Sequence, residues 1–217
     1  MPMIQHVYAR AAAAARVNAV LVATDDERIA RAVDDFGGTA VMTSDQHRTG
    51  TDRLAEVAAA LQGEIIINVQ GDEPLVEAGA IDSCVRSLIE HPDDVMSTVR
   101  RPLGDDEADN PAVVKVVVDE HDIALYFSRA AIPHVRAGAA APARWAHLGL
   151  YGYRRTFLLA LAALAPTPLE QAESLEQLRV LEHGFRIRCV KTLSTSIGVD
   201  TAEDLERVRG LFATLRQ

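Results

Sequence analysis

Ile65-Ile66-Ile67-Asn68-Val69-Gln70-Gly71-Asp72-Glu73-Pro74 is an apolar run that passes without a break into a glycine turn bearing two carboxylates. Continuous apolar runs are the mark of strands covered on both faces, and open α/β sheets bind ligands just outside the carboxyl ends of such strands. The Asp72 turn is therefore expected at a ligand-binding edge. A second acidic turn, Gly198-Val199-Asp200-Thr201, follows another predicted strand far along the chain. Carboxylates from two distant segments, meeting over one crevice, would suit Mg²⁺ and a phosphate-bearing substrate.

Outward from that stretch, strands and helices alternate. Residues 18–23 are apolar and stop at Thr24-Asp25-Asp26-Glu27, where Thr24 and Glu27 have the spacing of a capping box. The helix that follows is expected to run through Phe36 and end at Gly37-Gly38, with an extended segment at 39–42. A polar loop (43–51), a helix (52–61), the strand leading to Asp72, a helix (78–90) and a strand (95–100) continue the pattern. Such alternation implies an α/β fold with a mainly parallel, helix-covered sheet. An alanine-rich first helix is expected at 4–17.

The pattern changes after Pro111. Residues 113–118 and 123–128 read as two strands joined by the polar turn 119–122, and 145–153 as a third, so a small antiparallel annex is expected at about 111–153. Residues 137–143 read as a surface loop, 157–164 as a short helix, 171–182 as a helix and 185–191 as a strand. An amphipathic helix closes the chain at 203–215, with Thr201 and Asp204 suggesting its N-cap. One domain spanning 1–217 accommodates all of this.

Composition narrows the function. The 217 residues carry 22 basic and 31 acidic side chains, a net charge of −9. That balance argues against a protein that gains its affinity by neutralising nucleic-acid phosphates. No apolar run is long enough to span a bilayer, so no membrane role is expected. Cys84 and Cys189 have no close partner and no metal-ligand spacing, which suits buried thiols in a reducing cytoplasm.

Several stretches could carry chemistry. Thr43 to Arg53 is a polar loop rich in hydroxyls and backbone donors, able to read a base and hold phosphate, or simply a hydrophilic connection. Tyr126-Phe127-Ser128-Arg129 and His147-Leu148-Gly149-Leu150-Tyr151-Gly152-Tyr153 put an arginine, a histidine and tyrosines on the annex. A guanidinium fork with a neighbouring imidazole suits a carboxylate, because it binds both oxygens at once.

Taken together, the Gln70–Pro74 turn, His47-Arg48-Thr49-Gly50-Thr51-Asp52-Arg53, Leu125–Arg129, His147–Tyr153, Leu175-Glu176-Gln177-Leu178-Arg179 and Gly198–Thr201 resemble the 3-deoxy-manno-octulosonate cytidylyltransferases, in the same order along the chain. The resemblance implies a Rossmann-like three-layer nucleotidyltransferase fold. It also implies a cytoplasmic homodimer that transfers CMP from CTP to the anomeric hydroxyl of the sugar acid Kdo, for lipopolysaccharide biosynthesis. By the same resemblance, Asp72 and Asp200 would bind Mg²⁺ and serve the catalysis. His47, Thr49, Gly50, Thr51, Arg53 and Gln70 would hold the nucleotide, and Arg129, His147, Tyr151, Glu176 and Gln177 the sugar acid.

Members of that family begin with a strand and a loop of the type Pro-Ala-Arg…Ser-Thr-Arg-Leu-Pro-Gly-Lys-Pro. This sequence starts at Met1-Pro2-Met3-Ile4, just after the corresponding point. Impaired catalysis is the expectation for the chain as written. A cytidylyltransferase for another 2-keto sugar acid, such as amino-Kdo or a sialic acid, and a noncatalytic nucleotide- or sugar-binding module fit the same residues.

Overall fold

A computed structural model describes residues 1–47, 49–194, 198–199 and 201–215, with side chains through residue 213. The chain folds as two compact units: residues 1–62, 68–82 and 194–217 form the first, and residues 63–67 and 83–193 the second.

In the first unit, helix α1 (Met3–Ala12) precedes strand β1 (Val22–Thr24), helix α2 (Glu27–Asp35), strand β2 (Ala40–Met42) and helix α3 (Gly50–Ala59). Strands β1 and β2 pair in parallel, with Val22 opposite Ala40. This is the βαβ unit expected from the sequence, although the apolar run at 18–23 becomes a strand only from Val22. The cap of α2 is Asp26 rather than Thr24: the Asp26 carboxylate accepts the Arg28 N–H at 2.7 Å, and Thr24 Oγ1 accepts the Asp26 N–H at 3.1 Å. Gly37, at φ 77°, follows the helix in a left-handed conformation that glycine adopts without a steric penalty. The last helix, α8 (Ala202–Leu215), is capped as its sequence predicts. Thr201 Oγ1 accepts the Asp204 N–H at 3.1 Å, and the Asp204 carboxylate accepts the Thr201 N–H at 3.0 Å.

The chain continues through β3 (Ile65–Asn68), α4 (Ala78–Glu90), β4 (Met96–Pro102), β5 (Lys115–Val118), β6 (Ala124–Ser128), β7 (Trp145–Arg154), α5 (Arg155–Ala162), α6 (Pro168–Glu173), α7 (Gln177–Glu182) and β8 (Ile187–Lys191). Six of these strands form one sheet in the order β6-β5-β7-β4-β8, with β3 joined to β7. Strand β4 runs parallel to β8 and antiparallel to β7. The hairpin of β5 and β6 is antiparallel, as read from the sequence, and β5 also pairs antiparallel with β7. Leu88, Met96, Val99, Val116, Phe127, Leu158, Leu178 and Ile187 fill the buried core here.

The helix expected over 171–182 is broken in two. Ser174 caps α6 in a left-handed conformation at φ 52°, and the chain resumes as α7 three residues later. Apolar periodicity passes through the break because Leu175 and Leu178 are both buried, so the pattern alone does not reveal it. Cys84 and Cys189 are buried free thiols, and burial pushes each up to about 12. Among the described residues, no helix is long and apolar enough to cross a membrane.

Candidate functional site

The nucleotide candidates belong to the first unit. Thr49, Gly50 and Thr51 are less a loop than the cap and first turn of α3, which begins two residues earlier than its sequence suggests. Thr49 Oγ1 accepts the Asp52 N–H at 3.2 Å, and Gly50 and Thr51 then sit where a helix has backbone N–H groups without intrahelical acceptors. An oxyanion arriving there would meet those donors and the positive end of the helix dipole. Arg53, one turn on, donates from Nη2 to Asp25 Oδ2 at 3.0 Å and from Nη1 to Thr43 Oγ1 at 2.5 Å. These bonds tie α3 to the ends of β1 and β2 and hold the guanidinium in one orientation. His47 Nε2 meets Glu56 Oε2, whose carboxylate also accepts the Ser44 N–H at 3.0 Å. The His47 hydrogen bond, followed by that of Ser44, holds Glu56 below the usual carboxylate range. Gln70 is exposed, and its carbonyl accepts the Glu73 N–H at 3.2 Å, closing the turn that carries Asp72.

Asp72 is half-buried on that turn, and its carbonyl accepts the Val199 N–H at 2.9 Å. A Cβ added at Gly198 would lie 3.5 Å from Glu73 Oε1. The turn after β3 and the turn before Asp200 therefore touch within the first unit. Asp200 itself lies outside the described residues. Among those described, no group of three or more His, Cys, Asp or Glu side chains forms a ready cation cage. The donors present, Asp72 and Glu73, are hard oxygen ligands. They fit Mg²⁺, which takes one or two carboxylates and fills its remaining positions with water and phosphate.

The sugar candidates belong to the second unit. His147 and Tyr151 lie on β7 with ring centroids 5.3 Å apart, and Phe127 of β6 stands edge-on to His147 at 5.0 Å. His147 Nε2 is 2.9 Å from Thr98 Oγ1, which itself lies 2.8 Å from the Leu150 carbonyl. The single hydroxyl proton goes to that carbonyl, so Oγ1 accepts from His147 and the imidazole carries its proton on Nε2. Burial without a charged partner pulls the His147 pKa from 6.5 down to about 3, so the ring is neutral. Burial likewise pushes the Tyr151 hydroxyl well above 10, with Tyr153 and Glu176 adding to the effect. Glu176 and Gln177 begin α7, and Gln177 Nε2 is buried with no acceptor among the described residues. A ligand oxygen would satisfy it.

Arg129 donates from Nε to the Glu173 carbonyl at 2.8 Å, from Nη1 to the Pro111 carbonyl at 3.1 Å and from Nη2 to the Ser174 carbonyl at 3.4 Å. Guanidinium has five N–H donors, so two have no acceptor among the described residues and could meet a ligand. Sequence reading missed the residues that hold this set in place. Thr98 supports His147, and Lys115 and Glu173 surround Arg129. The signal for Lys115 was available, as a lone charge inside an apolar strand that must be buried and partnered.

Residues 1–190 match the family model described as Cytidylyltransferase. The chain is 53% identical to a 3-deoxy-manno-octulosonate cytidylyltransferase of Geobacter metallireducens, over 95% of this chain and 86% of that protein. It is 52% identical to one of Myxococcus xanthus, over 97% of this chain and 85% of the relative. A solved CMP:2-keto-3-deoxy-manno-octonic acid synthetase, in complex with CTP, superposes with a TM-score of 0.94 at 43% identity, covering 98% of this chain and 88% of the other. A 4-diphosphocytidyl-2C-methyl-D-erythritol synthase from Anaerococcus prevotii, 14% identical with a TM-score of 0.63 over 97% of this chain and 89% of that one, shares the fold. With relatives this similar along nearly its whole length, the chain belongs to the cytidylyltransferase family, among its 3-deoxy-manno-octulosonate cytidylyltransferases.

Proposed function

We propose that this chain moves CMP from CTP to the anomeric hydroxyl of Kdo, giving CMP-Kdo and pyrophosphate. The observation that carries this reading is the backbone hydrogen bond from Val199 to Asp72, which brings the segment before Asp200 against the acidic turn after β3. The nucleotide set acts from the first unit. The α3 N-terminus at Gly50 and Thr51 offers backbone donors to the nucleotide, Arg53 supplies a fixed positive charge, and Gln70 and His47 offer polar groups to the base. The sugar set acts from the second unit. Arg129 takes the carboxylate, while neutral His147, Tyr151, Glu176 and Gln177 meet hydroxyls.

The reaction is an in-line displacement at the α-phosphorus of CTP. The O–P bond to the sugar forms as the bond to the pyrophosphate oxygen breaks, and the proton of the sugar hydroxyl passes to solvent. Such transfers depend on positioning and on charge neutralisation rather than on a protein nucleophile. Mg²⁺, held by Asp72 and Asp200, would neutralise phosphate charge and lower the pKa of the attacking hydroxyl. One domain acting as a cytoplasmic homodimer in lipopolysaccharide biosynthesis completes the proposal.

Pyrophosphate release from CTP and Kdo tests it. Release should require both substrates, stop when a chelator removes divalent cations, and return with added Mg²⁺. Faster turnover of a sialic acid or amino-Kdo would move the specificity to that acid, because a site built around particular hydroxyls rejects analogues lacking them. Tight CTP binding with no turnover of any of the acids would leave a nucleotide-binding module and end the enzymatic reading.

A further inference from the structure

Lys115 interrupts the apolar run Val113 to Val118 and is fully buried. Its ammonium group donates to three backbone carbonyls: Asn110 at 2.8 Å, Val113 at 2.8 Å and Arg129 at 2.6 Å. All three N–H groups are thereby used, and none goes to a carboxylate. Burying a cation without an ionic partner is costly, and burial accordingly pulls the Lys115 pKa down, opposed by the nearby Asp109 and Glu173 charges. What that charge achieves is legible in its partners.

Glu173 approaches the same residue from the other side. Its Oε2 accepts the Arg129 N–H at 2.9 Å, its Oε1 accepts Ser128 Oγ at 2.6 Å, and its carbonyl accepts Arg129 Nε at 2.8 Å. The two backbone polar groups of Arg129 are therefore pinned by opposite charges, the N–H by a carboxylate and the C=O by an ammonium. Arg129 Nη1 bonds the Pro111 carbonyl, which belongs to the same 110–113 segment that Lys115 grips at Asn110 and Val113. Lys115 thus holds the root of Arg129 and, through Asn110 and Val113, both ends of the short segment whose Pro111 carbonyl receives its head.

We propose that Lys115 and Glu173 are positioning residues that set the direction of the Arg129 guanidinium for the carboxylate of the sugar acid, while touching no ligand themselves. This rests on the reading of Arg129 as the group that meets that carboxylate. Groups that orient a binding residue in this way carry much of its affinity although they make no contact with the ligand.

Calorimetric titration of the full chain with Kdo and, separately, with CTP tests the proposal in wild type, Arg129→Ala, Lys115→Met and the double variant. Lys115→Met should weaken Kdo binding about tenfold or more while CTP affinity stays within about twofold. In the Arg129→Ala background the same substitution should cost nothing further, because the two act through one interaction. An equal loss with and without Arg129, a parallel loss of CTP affinity, or an unchanged Kdo affinity would each overturn it. Should Arg129→Ala itself leave Kdo binding intact, the assignment of Arg129 fails first, and the role of Lys115 with it. If Lys115→Met does not fold, Glu173→Gln, which keeps the volume and removes the charge, carries the same expectation and the same refutations.

Discussion

The Val199 N–H donates to the Asp72 carbonyl at 2.9 Å, joining two turns that lie more than a hundred residues apart in sequence. Because the bond is between backbone groups, the Asp72 side chain can be changed without cutting it. Asp72→Asn should therefore lower pyrophosphate release about a hundredfold or more, the size of effect that follows loss of a charge-stabilising group. Its thermal midpoint should stay close to that of the parent. Undiminished turnover would remove Asp72 from the machinery.

His147 makes acid stability informative. Its folded pKa of about 3 lies below its ordinary value of 6.5, so between those values the unfolded chain binds a proton that the folded chain refuses. Stability is full above pH 6.5 and falls as the pH drops toward 3, with a limiting slope of about 1.4 kcal/mol per pH unit from this residue. Urea unfolding of the parent and of His147→Gln, compared at pH 7, 6 and 5, isolates that slope from the carboxylates common to both. Parallel curves would mean that the imidazole titrates normally.

Arg179 and Glu170 form a buried pair, Nη2 to Oε1 at 2.5 Å and Nε to Oε2 at 2.8 Å, with side chains only 5% and 9% exposed. Arg179→Met leaves the carboxylate without its cation in a poorly solvated place, and should cost about 3–5 kcal/mol in equilibrium unfolding. Replacing both residues by apolar side chains of similar volume should cost less than either single change. A single-variant cost below about 1 kcal/mol would place the pair with ordinary surface bridges.

Gly152 on β7 faces Ser97, Ile67 and the α4 residue Leu88. A Cβ there would lie 2.6 Å from Ser97 Oγ, 3.0 Å from Ile67 Cδ1 and 3.3 Å from Leu88 Cδ1. Gly152→Ala should destabilise by about 1–3 kcal/mol, as overpacking does in a filled core. Adding Ser97→Ala should recover part of that, since the nearest obstacle is the serine hydroxyl. A neutral Gly152→Ala, measured by chemical denaturation, would mean that the space is softer than its contacts imply.

Periodicity and punctuation revealed much of the fold. The βαβ start, the β5–β6 hairpin, the Thr201–Asp204 cap and the apolar strand entering the Asp72 turn all follow from short-range rules, because turns, caps and strand burial depend on residues a few positions apart. Two element boundaries of the same local kind were nonetheless misplaced. Ser174 divides a stretch of unbroken apolar spacing, and α3 begins at Gly50 because Thr49, not a later residue, supplies the cap.

The sequence by itself determined which chemical groups this protein owns: the acidic turns, the polar loop before Arg53, and the arginine, imidazole and phenols of the later strands. Only the tertiary structure decided how they are held. The neutrality of His147, its Nε2–H tautomer, the Gln177 Nε2 left without an acceptor among the described residues and the opposed charges on either side of Arg129 arise from burial and from partners distant in the chain. Solvent exclusion and hydrogen-bond geometry belong to packed neighbours, and no local stretch of residues encodes them alone.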